Sequence, residues 1–161
     1  MLDFVKTEPG DDPILVECFF AQPPIAVFEA WTDPEIIMKW FGPRPNTLVS
    51  ATLDLRLGGR YRFVKSQDDK TSTGFEGEYL VIEPNHRLVF TWAQFACHAD
   101  GREEITPHSK VEIDFVATEG GTDLHLSHSA LHNDEARKGF AGGWERAFGN
   151  LVPLLANTID R

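Results

Sequence analysis

The stretch from Asn133 to about Asn157 limits the choice of fold more than any other part of the chain. Its apolar residues stand at Ala136, Phe140, Trp144, Ala147, Phe148, Leu151, Leu154 and Leu155, in steps of three and four that share one stripe of an α-helix. Asn133 suits the N-cap, and Asp134 and Glu135 put negative charge where the helix dipole favours it. Such a helix runs about 35 Å, so the rest of the chain must supply an apolar surface of that length. Gly139, Gly142, Gly143 and Gly149 each lower helix propensity by about 1 kcal/mol against Ala. Glycines retained at that cost predict a helix packed closely onto a curved surface. Pro153 removes a helical hydrogen bond and crowds the carbonyl of Gly149, which predicts a kink.

The surface is legible in the preceding residues. Ile14 to Phe20 reads as a strand, and Pro23-Pro24 opens a short helix, Ile25 to Trp31. Thr32-Asp33-Pro34 caps a second, Pro34 to Trp40, which Gly42-Pro43-Arg44-Pro45 ends. The period then changes to two. Val49, Ala51, Leu53 and Leu55 share a face in Thr47 to Leu57, and Tyr61 and Phe63 in Arg60 to Lys65. Phe75, Gly77, Tyr79 and Val81 follow in Thr73 to Glu83, then Leu88, Phe90 and Trp92 in His86 to Phe95. Val111, Ile113 and Phe115 alternate in Ser109 to Thr118, and Leu124, Leu126 and His128 in Thr122 to Leu131. Residues 96 to 107 read as a loop around Asp100-Gly101, and residues 1 to 12 as a flexible N-terminal arm. Consecutive strands joined by short turns predict an antiparallel meander, and only the C-terminal helix is long enough to cover its apolar face. The expected architecture is α+β. A curved antiparallel sheet of six to seven strands wraps around the long C-terminal helix, with two short helices after the first strand, in a single domain from residue 13 to 161.

A net charge of −10 argues against nucleic acid and against anionic membrane surfaces as partners. No apolar run has the length of a membrane helix, and Met1-Leu2-Asp3-Phe4 lacks the form of a signal peptide. The expected location is the cytoplasm. Cys18 and Cys97 form no CxxC pattern and are expected as free thiols. Monomer and homodimer are both compatible with this composition.

The motifs occur in a particular order: Trp31-Thr32-Asp33-Pro34-Glu35, Trp40-Phe41-Gly42-Pro43, Asp54-x-Arg56-x-Gly58-Gly59, Gly77-x-Tyr79 and Pro84-x-x-Arg87-Leu88-x-Phe90-Thr91-Trp92. Gly121-Thr122-x-Leu124-x-Leu126-x-His128 and Gly143-Trp144 complete the set. In this order the chain resembles the homology family of the activator of the heat-shock-protein-90 ATPase, within the START-like superfamily, over residues 14 to 155. The resemblance implies a helix-grip fold with a cavity between sheet and long helix. The co-chaperone that resembles this domain carries a separate N-terminal domain for chaperone binding, for which 161 residues leave no room.

The inward positions are notably aromatic: Tyr61, Phe63, Phe75, Tyr79, Phe90, Trp92, Trp144 and Phe148, with Trp40 and Phe41 from the second short helix and His128 on the same face. These residues either fill a core or line a cavity for a small hydrophobic ligand. The expected function is binding of an apolar or aromatic molecule there, without a metal or cofactor. The alternatives are a cyclase-, aromatase- or hydrolase-like enzyme with His128 as acid–base group and Tyr79 or Trp92 positioning substrate, and a module with a protein partner such as a chaperone. No serine, cysteine or threonine stands in a nucleophile motif. Of His125, His128 and His132, the first two point to opposite faces of a strand and so cannot share a metal ion without a distortion. Asp54 and Arg56 read as an ion pair bracing a turn. Trp144 is expected to be buried and to reach toward Tyr79 and Trp92.

Overall fold

In the computed structural model, which describes residues 3–8, 10–68 and 70–157, alternation converts directly into a sheet. β1 (Ile14–Phe20) buries every second residue. After Pro23 the chain forms α1 (Pro24–Thr32) and then α2 (Pro34–Trp40), where the Asp33 carboxylate caps the helix by accepting from the Glu35 N–H at 2.9 Å. The strands β2 (Ser50–Leu53), β3 (Arg60–Gln67), β4 (Thr71–Glu83), β5 (Arg87–His98), β6 (Glu103–Ile105), β7 (Ser109–Thr118) and β8 (Gly121–Ser129) follow. α3 (Asp134–Ala156) closes the chain, its N-cap Asn133 accepting from the Ala136 N–H at 2.7 Å. All strand pairs are antiparallel, in the order β1-β8-β7-β5-β4-β3-β2, with β6 beside the far end of β5. The concave face of this curved sheet holds α3, so the architecture is the α+β helix grip. Among the described residues no helix is long and apolar enough to cross a membrane.

β5 has two partners along one edge. Residues Arg87 to Trp92 pair with β7, and Phe95 to Cys97 pair with β6. The segment expected as a loop from residue 96 to 107 is therefore a hairpin, turning at Asp100-Gly101 with the His98 N–H on the Arg102 carbonyl at 2.8 Å. Backbone ladders rather than buried side chains hold it. Glu103, Glu104 and Ile105 are exposed, so no apolar alternation marks them.

Three other expectations are corrected. The strand expected over Thr47 to Leu57 shrinks to β2, and Val49 and Leu55 are exposed at 53% and 40%. β2 is the sheet's edge, and the chain leaves it through a turn in which Gly58 adopts φ +78 and the Gly59 N–H returns to the Arg56 carbonyl; only Gly takes that conformation freely. Arg56 and Asp54 form their ion pair there at 2.6 Å. Second, the N-terminal arm is docked in its described residues. Val5 is buried and bridges Val16 on the outer edge of β1, flanked by Lys6 N–H to the Leu15 carbonyl and Glu17 N–H to the Phe4 carbonyl. The Glu145 carboxylate accepts from the N–H groups of Asp3, Phe4 and Val5, and the Phe4 ring lies against Phe148.

Third, the glycines of α3 do not mark close packing. A methyl group added at Gly139, Gly143 or Gly149 would meet nothing within 4 Å, and at Gly142 only the tip of Arg146. Gly149 is solvent-exposed within a continuous helix. Gly149→Ala should therefore raise unfolding free energy by about 1 kcal/mol through helix propensity, measured by urea denaturation. An unchanged or lower midpoint would show a constraint at Gly149 beyond open space.

Candidate ligand site

A cleft of about 530 Å³ opens between the first half of α3 and the concave face of β3 to β5. Strand alternation aims Phe75 and Trp92 into it, with their rings 4.6 Å apart. The i, i+4 spacing on α3 brings Phe140 and Trp144 to the same place, 5.7 and 5.3 Å from the Trp92 ring. Phe41, just past α2, closes one side at 5.7 Å from Trp92. Gly139 and Gly143 line the cleft from the helix, and their missing side chains keep it open rather than narrow. The Trp92 indole N–H is buried without a hydrogen-bond partner among the described residues, although buried indoles usually have one.

Along β3 and β5 the same alternation continues past the aromatics into polar residues. Lys65 and Gln94 follow Phe63 and Trp92 on the concave face, and Thr106 stands beside Gln94, whose N–H donates to its hydroxyl at 2.9 Å. Arg146 and Glu135 line the helix side. None of these five was read from the sequence as lining a cavity. The detectable signal was the period of two, which runs through Trp92, Gln94 and Ala96 without a break.

His128 lies beneath the cleft and does not line it. It is 0% exposed. The Trp144 indole N–H donates to its Nδ1 at 3.0 Å, and its Nε2 is 2.7 Å from the Ser109 hydroxyl. With Nδ1 accepting, Nε2 carries the proton and donates to Ser109, whose hydroxyl donates to the Trp92 carbonyl at 3.3 Å. Every partner in this relay fits a neutral ring, and burial pushes the pKa down to about 3. The acid–base role considered for His128 is thereby corrected: the imidazole meets neither the cleft nor solvent, and both nitrogens are engaged. His125 lies outside the cleft, half-exposed beside Glu17, and His132 stands at the rim.

The eleven residues expected to line one cavity divide into three groups. Phe41, Phe75, Trp92 and Trp144 line the cleft. Trp40, Tyr61, Phe63, Tyr79 and Phe90, with Phe41 on their border, surround a void of only about 10 Å³, too small for a ligand. There the Trp40 indole donates to the Ala30 carbonyl at 2.9 Å and the Tyr61 hydroxyl to the Thr91 carbonyl at 2.7 Å; burial holds the Tyr61 phenol well above its ordinary pKa. Phe148 and His128 belong to the sealed core. Tyr79, expected near Trp144, instead stacks with Tyr61 and Phe90, while Trp144 meets Trp31, Phe41 and Trp92.

The pattern of the family described as Activator of Hsp90 ATPase homolog 1-like protein matches residues 21–156. The chain belongs to that family. Every residue lining the cleft falls inside the matched region of this Hsp90-activator-homologue domain. Solved structures of similar shape include a protein from Nitrosomonas europaea, at TM-score 0.74 and 23% identity over 96% of this chain and 100% of that one. A Rhodobacter sphaeroides protein follows at 0.72 and 22%, over 95% and 97%, and one from Mesorhizobium loti at 0.69 and 26%, over 91% and 98%. No curated protein matches the chain. The Hsp90-activator homology thus agrees with the helix-grip architecture read from the strands and α3.

Proposed function

We propose that this domain binds a small apolar or aromatic molecule in the cleft between α3 and the sheet. The observation that carries the reading is the set of Phe75, Trp92, Phe140 and Trp144 around about 530 Å³ of unfilled space, a volume within the usual range for small-molecule pockets. Aromatic rings in such a cleft supply large apolar area at low entropic cost. The helix accepts weak propensity at Gly139 and Gly143, which face that space without packing against anything. A glycine that gives up helix stability and gains no contact fits a wall that must stay thin.

Gly143→Leu tests this directly. The new side chain enters open space, so unfolding free energy should stay level or rise by about 1 kcal/mol through helix propensity. Binding of the neutral dye N-phenyl-1-naphthylamine, followed by its fluorescence, should weaken by at least about tenfold, because the leucine occupies the ligand's volume. Saturable dye binding that is identical in parent and variant would mean that the cleft is not the binding site.

A further inference from the structure

We infer that the ligand of this cleft carries one anionic group, a carboxylate or its equivalent on an apolar aromatic body, and that Lys65 receives it. The inference rests on the binding reading above and adds the ligand's charge. Three observations point the same way. Lys65 is half-buried on the concave face, its ammonium 5.4 Å from the centre of the Phe75 ring, so a cation stands at the margin of the aromatic part of the cleft. It forms no ion pair among the described residues, in a chain of net charge −10 where carboxylates are plentiful. Its neighbours in the lining are hydrogen-bonding groups with capacity to spare. The Thr106 hydroxyl already accepts from the Gln94 N–H and so has its proton to donate, and the Gln94 side-chain amide has no partner among the described residues.

A second hollow of about 470 Å³ adjoins the first and shares Lys65, Gln94 and Thr106 with it. The lining therefore passes from the rings of Phe75 and Trp92 to the polar group Lys65, Gln94 and Thr106 at the boundary of the two hollows. Beyond that boundary the second hollow is lined by Phe95 and Ile105 as well as Thr73 and Glu104. An amphipathic molecule matches the passage from rings to polar group, and a cation at the boundary selects the sign of its polar end. Arg146, on the helix side, likewise has no ion-pair partner among the described residues. The carboxylates nearby do not compete for Lys65. Glu104 is engaged by His98 at 2.9 Å, and Glu135 is exposed in the first turn of α3, where the helix dipole balances its charge.

The test compares two dyes that share an aromatic body, the anionic 1-anilinonaphthalene-8-sulfonate and the neutral N-phenyl-1-naphthylamine, on the intact chain. Lys65→Met keeps the aliphatic stem over Phe75 and removes the charge. It should weaken the anionic dye about tenfold and the neutral dye less than about twofold, and raising salt should weaken only the anionic dye. If both dyes lose affinity in Gly143→Leu while Lys65→Met leaves their ratio unchanged, the cleft binds but the charge assignment is wrong. If neither dye binds the parent, or Gly143→Leu leaves both bound as before, the binding reading and the charge assignment fall together.

Discussion

Trp144→Ala should lose about 3–5 kcal/mol of unfolding free energy, the usual range for removing a large buried aromatic. The ring is 3% exposed and wedged among Trp31, Phe41, Trp92 and Phe148. Its removal also leaves Nδ1 of His128 unpaired in a sealed site. Trp144→Phe isolates that second effect, since it keeps most of the packing and drops the indole donor; it should cost about 1–3 kcal/mol, the desolvation penalty of one orphaned polar atom. Denaturant titrations of the two variants at pH 7 give both numbers. Equal stability of Trp144→Phe and the parent would show that the indole-to-imidazole hydrogen bond contributes nothing.

The second large effect depends on pH. In the unfolded chain His128 protonates near its ordinary pKa of about 6.5, whereas in the folded protein burial keeps it neutral down to about 3. Between these values the unfolded state binds the extra proton, so stability falls as the solution is acidified. The contribution is fully present above pH 6.5 and lost progressively toward pH 3. From pH 7 to pH 5 this one group should remove about 2 kcal/mol. His128→Gln keeps an acceptor for Trp144 and a donor for Ser109 but cannot titrate, so its acid loss over the same interval should be smaller than the parent's by that amount. Parallel stability curves for the two proteins would contradict a neutral, sealed imidazole.

The fold was legible where burial on one face wrote a period into the residues. Val111, Ile113 and Phe115 against Lys110, Glu112 and Asp114 required a strand with one covered face, and the stripe from Ala136 to Leu155 required the helix that covers it. β6 was missed because backbone hydrogen bonds hold it and its exposed Glu103, Glu104 and Ile105 carry no such record. The docked arm was missed for a related reason: one buried valine and three amides on Glu145 leave no periodic pattern in the first twelve residues. For the site, alternation placed Phe75 and Trp92 on the concave face but could not separate filled from empty space. Tyr61, Phe63 and Tyr79 alternate just as Phe75 does, yet they pack against one another where the cleft is absent. The glycines of α3 were read with the wrong sign, because a missing side chain looks the same in sequence whether a neighbour or a ligand-sized gap adjoins it.

The lodging of residues 3 to 7 along β1 bears on how the protein behaves in concentrated solution. β1 closes one end of an eight-stranded sheet, and a bare terminal strand offers unpaired amides and carbonyls to any other strand that meets it. Phe4 and Lys6 occupy part of that row through Leu15 and Glu17, so one chain cannot readily extend the sheet of another at this position. The occupying segment is itself tethered through its amides to Glu145, a residue of the helix that carries the cleft wall. Shielding against self-association is thus fastened to the element that frames the pocket, and a shortened version beginning at Pro13 would retain every cleft-lining residue while leaving its outermost strand uncovered.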